Sequence, residues 1–202
     1  MSSLKHNNAG FTGLEAAIVL IAFVVVAAVF SYVVLGAGFF TTQKAQEAVH
    51  SGVLQATSSL ELVGNVYGIQ DPSNTAGIEY VNFSLGLAAG GTPVDVSKTV
   101  FIYSNETQLV TMTPPSTWTG PTYPSATGSW AISDVQNNPS STFNAVLQPN
   151  EQFTITAQVG GSVATDIPAN DIFTLEIRPS GGAAFSITRT VPAAIQGVNL
   201  MY

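Results

Sequence analysis

The residues of this sequence that could do chemistry are carboxylates and asparagines. Glu15 stands alone at the start of an apolar run, because the next 28 residues, positions 16 to 43, carry no charge. Asn82 and Asn105 each begin an acceptor pattern for N-glycosylation, Asn-Phe-Ser and Asn-Glu-Thr. We therefore take Glu15 as a candidate for recognition at the edge of an apolar environment and the two asparagines as candidates for modification.

Other kinds of catalytic or metal-binding site are poorly represented. The sequence has no cysteine, and its two histidines, His6 and His50, lie in the N-terminal quarter. Thiolate chemistry and disulfides are excluded, and His-rich sites are disfavoured in the rest of the chain. Asp166 and Asp171 form the closest acidic pair, whereas Ca²⁺ takes about 6–8 oxygen ligands. We predict no metal and no other cofactor.

The charge balance narrows the range of partners. Charged residues make up 8% of the chain, against about 25% in an average protein. The formal net charge is −7 and there are only five lysines and arginines, so no phosphate-binding face can form. Nucleic acid is therefore not an expected partner. No nucleophile-elbow spacing is present either, which argues against a membrane-anchored enzyme.

The apolar run is long enough to cross a membrane. From Ala16 to Phe40 the only polar side chains are Ser31 and the hydroxyl of Tyr32, and a transmembrane helix needs about 20 apolar residues. A plain membrane anchor is the simplest interpretation of such a run taken alone.

A secretory signal peptide fits this run badly. The apolar region of a signal peptide is only about 7–15 residues, and its small-residue cleavage site comes after it. Here the small residues Ala9 and Gly10 come before it, and Lys5 places the short leading peptide on the cytoplasmic side. The apolar segment is therefore expected to stay in the protein.

Helical periodicity continues beyond the apolar run. Apolar residues recur at steps of three and four from Ala45 to Val63, and Gly64 and Gly68 follow. We predict one helix from about residue 14 to residue 63, roughly 75 Å long. Gly36 and Gly38 would lie inside it, where they could allow a bend, a local unwinding or close helix contact, or could simply be tolerated.

The residue composition and the hydrophobic pattern of the chain change after the helix. Six short segments rich in Val, Ile, Thr, Phe and Tyr read as strands: 78–87, 98–104, 107–113, 151–159, 171–179 and 184–191. Residues 103–108 read as a hairpin turn, and 114–150 as a proline-rich surface excursion with one or two short strands. Strands at this spacing with no helical pattern between them predict an antiparallel β-sandwich or barrel.

Three stretches resemble archaellins, the archaeal flagellins built on the type IV pilin plan. They are AGFTGLEAAIVLIAFVVVAAVFSYVVLGAGFF at the N-terminus, and LQPNEQFTITAQV and FTLEIRPSGGAAFSITRTVPAAI near the C-terminus. The resemblance implies an α+β protein with a leader peptide over 1–10, a hydrophobic core helix over 11–66 and an Ig-like β-sandwich outer domain over 67–202. It also implies cleavage between Gly10 and Phe11, which makes Glu15 the fifth residue of the mature chain.

The resemblance further implies a structural role, with no enzymatic activity. The helices would bundle as the core of an extracellular filament, the archaellum, which turns as a swimming propeller. The implied partners are other copies of the chain, possible paralogues, a prepilin-peptidase-like enzyme, a membrane ATPase with its platform, and the cytoplasmic membrane before assembly. An adhesive type IV pilin is the alternative function, because the helix motif hardly separates the two.

Glu15 has two interpretations. As a carboxylate in the first turn of a helix it would be favoured by the helix dipole, without any further role. Once Phe11 is the free N-terminus, however, Glu15 could pair with its ammonium group, on the same subunit or on a neighbour. That pair would set the axial position of each subunit as it enters the filament.

Overall fold

The structure is a computed structural model that describes residues 9–72, 74–140, 142–161 and 166–202. Residues 1–8, most of the predicted leader, lie outside the described residues, and side chains are not described for 9–12 and 74–76. The chain divides into two compact units, residues 1–51 and 52–202, which we describe separately.

The apolar segment forms one unbroken helix, α1, over Ala9–Thr57. Its 49 residues correspond to a length of about 74 Å. The predicted end near residue 63, and the core segment drawn to residue 66, are wrong. Leu60 and Val63 do recur at helical spacing, but they pair with Leu87 and Ser84 in a β-sheet. Long-range strand pairing therefore overrides the local helical pattern.

Beyond α1, the described residues form twelve strands. They are β1 Leu60–Asp71, β2 Asn74–Leu87, β3 Val94–Asp95, β4 Val100–Asn105, β5 Leu109–Thr111, β6 Ser129–Gln136, β7 Val146–Leu147, β8 Gln152–Gln158, β9 Ile167–Pro168, β10 Ile172–Arg178, β11 Phe185–Thr190 and β12 Val198–Leu200. The largest sheet has the order β12-β1-β2-β8-β6, with β9 beside β2, and a second sheet has the order β11-β10-β4-β5. Strands β3 and β7 pair in a third, two-stranded sheet. All pairings between these strands are antiparallel.

The two larger sheets face each other across one apolar core, which confirms the predicted antiparallel sandwich. Phe101 of β4 lies with its ring centroid 6.0 Å from Phe83 of β2 and 4.3 Å from Trp130 of β6. On β10, Phe173, Leu175 and Ile177 are buried together on one face, as their alternation predicts. The β-sandwich, which we call the head of the protein, is therefore held together by aromatic and aliphatic contacts between sheets, without disulfides.

The proline-rich excursion contributes more to the core than its composition suggests. It contains β6, which pairs along its whole length with β8, and Trp130 is fully buried. Trp118 packs against Trp130 with ring centroids 5.5 Å apart, whereas Tyr123 is exposed. The excursion thus supplies an edge strand of the largest sheet and leaves only part of its length at the surface.

Candidate assembly surface and modification sites

The surface of α1 is apolar all round and is exposed. Every described side chain from Gly13 to Ala56 is exposed, and large side chains such as Phe23 and Phe30 are 72% and 69% exposed. Among the described residues one helix, Gly13–Thr57, is long and apolar enough to cross a membrane. A helix of this kind must be buried in lipid or against other helices. A single chain therefore presents an unsatisfied apolar surface.

Glu15 lies on this helix as the only acidic residue before Glu47. The described helix begins at Ala9, six residues earlier, so Glu15 lies beyond the first turn and the predicted first-turn position is wrong. The helix dipole acts mainly within the first turn, so it explains Glu15 less well than expected. Gly10 and Phe11, the candidate cleavage residues, are helical in backbone.

The polar half of α1 contains an ion pair on its surface. Lys44 Nζ lies 2.7 Å from Glu47 Oε2, and both side chains are well exposed. The glycines Gly36 and Gly38 do not interrupt the helix, and a Cβ on either would meet no atom within 4 Å. No unwinding is seen there, so a bend, close helix contact in an assembly and simple tolerance are the remaining explanations.

Asn105 lies at the predicted hairpin, between β4 and β5. Its Oδ1 accepts hydrogen bonds from the backbone N–H groups of Thr107 and Gln108, at 3.1 and 2.8 Å, and from the Thr107 hydroxyl at 3.0 Å. Glu106 and Thr107 are exposed. The acceptor pattern is therefore presented on a tight turn at the surface, with its hydroxyl already bonded to the asparagine.

Asn82 lies in a different setting, within β2. Its neighbours across the sheet are Tyr67 on β1 and Thr156 on β8. The residue is half-buried, and its Oδ1 is buried with no hydrogen-bond partner among the described residues. Ser84, the third residue of the pattern, shares this face, and its hydroxyl lies 3.2 Å from that of Thr154.

The acidic residues of the head are used within the fold. Asp166 is buried and accepts a hydrogen bond from Gly161 N at 2.8 Å, whereas Asp171 accepts one from Ile172 N at 2.9 Å. Burial, followed by a hydrogen bond to buried Glu79, raises the pKa of Tyr80. Within the described residues, no group of three or more His, Cys, Asp or Glu side chains could hold a metal.

A further structural element, not foreseen from the sequence, contacts the end of α1 and the two residues that follow it. We call it the collar: residues 88–92 and 181–182, which contact residues 57–59. Thr57 O accepts a hydrogen bond from Thr92 N at 2.9 Å, and Ser59 O accepts one from Ala88 N at 3.0 Å. Carbonyl groups at a helix end lack partners within the helix, so Thr92 supplies the partner of Thr57, the last residue of α1. The only sequence signal is a pair of Gly-Gly doublets, at 90–91 and 181–182.

An unburied apolar helix joined to a β-sandwich is the plan of a subunit that packs against copies of itself. The family model for archaeal-type flagellins matches residues 10–189. Probable flagellin 1 of Archaeoglobus fulgidus is 42% identical over 198 residues, covering 96% of both chains. The archaeal flagellum structure of Methanospirillum hungatei strain JF1 matches with a TM-score of 0.69 and 35% identity, covering 94% of this chain and 99% of that one. Flagellin FlaB1 of Methanocaldococcus jannaschii shares the fold, with a TM-score of 0.58 at 18% identity over 70% of this chain and 95% of that one.

The chain belongs to the archaeal-type flagellin family. It is a structural subunit of the archaellum, an extracellular filament formed by polymerisation of such subunits, and it is not an enzyme. The comparisons thus favour the archaellin interpretation over the alternative of an adhesive pilin.

Proposed function

We propose that this archaellin polymerises through α1 after its leader has been removed. In the proposal a prepilin-peptidase-like enzyme cuts between Gly10 and Phe11, while the cytoplasmic membrane holds the precursor. A membrane ATPase and its platform then move the helix from lipid into the growing filament, with or without paralogues. The finished filament turns as a propeller. The observation that carries this proposal is the fully exposed apolar surface of α1.

The free energies of burial are consistent with transfer of α1 from lipid into a bundle of helices. Burial of roughly 1,000 Å² of apolar helix surface from water is worth on the order of 25 kcal/mol. Lipid chains are as apolar as the side chains of the helix, so transfer out of the membrane recovers little of this free energy. Extraction therefore needs an energy source, whereas a filament in water has no tendency to dissociate.

The head is the part of the subunit that remains in water. Nine acids and three bases over residues 71–202 make it acidic, with little charge to solvate its surface. We include N-glycosylation of Asn82 and Asn105 in the proposal, because sugars would add solvation. The hairpin position of Asn105 and the outward face shared by Asn82 and Ser84 support it.

The first prediction concerns the N-terminus of the mature chain. Mass spectrometry of filaments sheared from cells should show chains that begin at Phe11, with residues 1–10 absent. The same spectra should show glycan mass on peptides that contain Asn82 and Asn105. Chains that begin at Met1, or that begin after the apolar helix, would refute the proposed assembly.

A deletion strain provides the functional control. Cells without this chain are expected to lose swimming and to keep surface attachment. Loss of attachment with swimming intact would instead favour an adhesive role.

A further inference from the structure

A groove lies on the outer face of the larger sheet, above Asn82. Its volume is about 390 Å³, and no charged residue lines it. Tyr67, Ile69 and Val198 supply an apolar wall, with Val198 65% and Tyr67 42% exposed. Ser84 and Thr154 supply hydroxyl groups on the other side. The groove therefore suits a ligand that has one apolar face and a rim of hydroxyl groups.

Asn82 is an unfavourable residue for the strand that contains it. Asparagine is depleted in strands, because it packs poorly on a pleated surface. Its buried Oδ1 lacks a partner among the described residues, and a buried acceptor without a hydrogen bond destabilises the folded state. A threonine or valine would suit β2 better at this position. Residues that break local rules without a structural gain tend to mark functional sites.

The geometry of the acceptor pattern directs Asn82 to the groove. Successive residues of a strand point to opposite faces, so Asn82 and Ser84 share the outer face while Phe83 is buried in the core. Since Asn82 Oδ1 is buried, the exposed part of this side chain does not include the carbonyl oxygen. Asn82 lines the groove, and its amide nitrogen, which carries the sugar in an N-glycan, is the other polar atom of the side chain.

We infer that this groove holds the first sugar of an N-glycan on Asn82, with the ring of Tyr67 as its stacking surface. Tyr67 is the direct cross-strand neighbour of Asn82, so its ring is within reach of a group attached there. Tyrosine offers a flat apolar face with a polar tip, which matches the amphipathic ring of a sugar. The cavity is at the lower end of the range of about 300–1,000 Å³ for ligand pockets, which suits one sugar ring. The inference rests on the proposed modification of Asn82.

The covalent step needs a phosphate-activated saccharide as donor. A bond forms between Asn82 Nδ2 and the anomeric carbon, and the bond from that carbon to the phosphate oxygen breaks. The phosphate leaves with the bonding electron pair, and the amide proton passes to a base of the transferring enzyme. No oxidant or reductant is required.

Asn105 offers a contrast within the same chain. Its pattern lies on a hairpin whose neighbouring residues, Glu106 and Thr107, are exposed. A sugar there would extend into solvent, without a wall like that of Tyr67, Ile69 and Val198. The two modifications are therefore expected to differ in their effect on stability.

The test is a double-mutant cycle on purified filaments. Ser84→Ala removes the acceptor pattern but keeps Asn82, and Tyr67→Ala removes the stacking surface. In glycosylated filaments Tyr67→Ala should lower the thermal midpoint of the head by about 2–4 °C more than it does in the Ser84→Ala background. Thr107→Ala, which removes the pattern at Asn105, is the matched control and should show no coupling to Tyr67.

The effect of Tyr67→Ala can also be measured with the acceptor pattern intact, in cells that lack the transferring enzyme. The extra effect of Tyr67→Ala should vanish there. If Asn82 carries no sugar by mass spectrometry, the proposed modification fails and the inference with it. If Asn82 is modified but the cycle shows no coupling, the inference alone fails. An undiminished effect of Tyr67→Ala in sugar-free filaments would also overturn it, because the contribution of Tyr67 to stability would then not depend on the sugar.

Discussion

Glu15→Gln is expected to give subunits that are processed and held in the membrane but that form about a hundredfold fewer filaments. The substitution keeps the shape of the side chain and removes its charge. The ammonium group of a mature Phe11 would then enter the apolar bundle without a partner. Removal of one member of a buried ion pair costs about 3–5 kcal/mol, and each 1.4 kcal/mol is about a tenfold change in an equilibrium.

Electron microscopy of whole cells counts the filaments, and mass spectrometry of the membrane fraction shows whether the leader has been removed. Glu47→Gln is the matched control, because it neutralises another carboxylate of the same helix. Glu47 is exposed and pairs with Lys44 one helical turn away, and such surface pairs contribute only about 0.3–0.5 kcal/mol. A normal number of filaments from Glu15→Gln would remove the proposed role of this residue.

Six of the twelve described strands could be predicted as separate segments because their local pattern agrees with their tertiary setting. In β10 the alternation of Phe173, Leu175 and Ile177 with polar residues reflects one buried face and one solvated face. The turn at Asn105 could be predicted for a similar reason, because asparagine accepts hydrogen bonds from the backbone two and three residues ahead.

Strand β1 was missed, and β6 was expected only as one of one or two short strands in the excursion, because local pattern and tertiary setting disagree. The short strands β3, β9 and β12 were not predicted either. At the start of β1 the spacing of Leu60 and Val63 continues the helical pattern of α1. Gly64 imitates a helix stop but in fact lies at a β-bulge, with a φ of 79°. The bounds of strand β6 could not be predicted, because it lies in a segment rich in proline. Only its pairing with β8 across the sheet, and the burial of Trp130, define it as a strand.

The candidate sites also differ in whether local sequence features are enough to identify them. Glu15, Asn82 and Asn105 could be selected from the sequence, because an isolated charge and an acceptor pattern are local features. The groove beside Asn82 could not, because it depends on the register that places Tyr67 opposite Asn82. The collar could not either, since residues 58, 91 and 182 meet only in the folded head.

Gly182→Ala is expected to loosen the collar and to lower the thermal midpoint of the head in purified filaments. A Cβ at this position would overlap the carbonyl oxygen of Ser58 and lie 2.8 Å from its carbonyl carbon. These are backbone atoms that no side-chain rotation can move, so the loop must withdraw from the end of α1. Overpacking of this kind costs about 1–3 kcal/mol. For a domain of this size the expected lowering is roughly 3–10 °C.

Gly181→Ala is the matched control for this experiment. Its Cβ would lie 3.7 Å from Ser58 Oγ, an ordinary van der Waals contact. Because alanine also reduces the conformational entropy of the unfolded chain, this variant should be neutral or slightly more stable, by about 0.4–1 kcal/mol. Equal midpoints for the two variants would show that the collar does not hold the end of the helix. A lower midpoint for Gly182→Ala alone would show that the close contact between residues 182 and 58 depends on a glycine at this position.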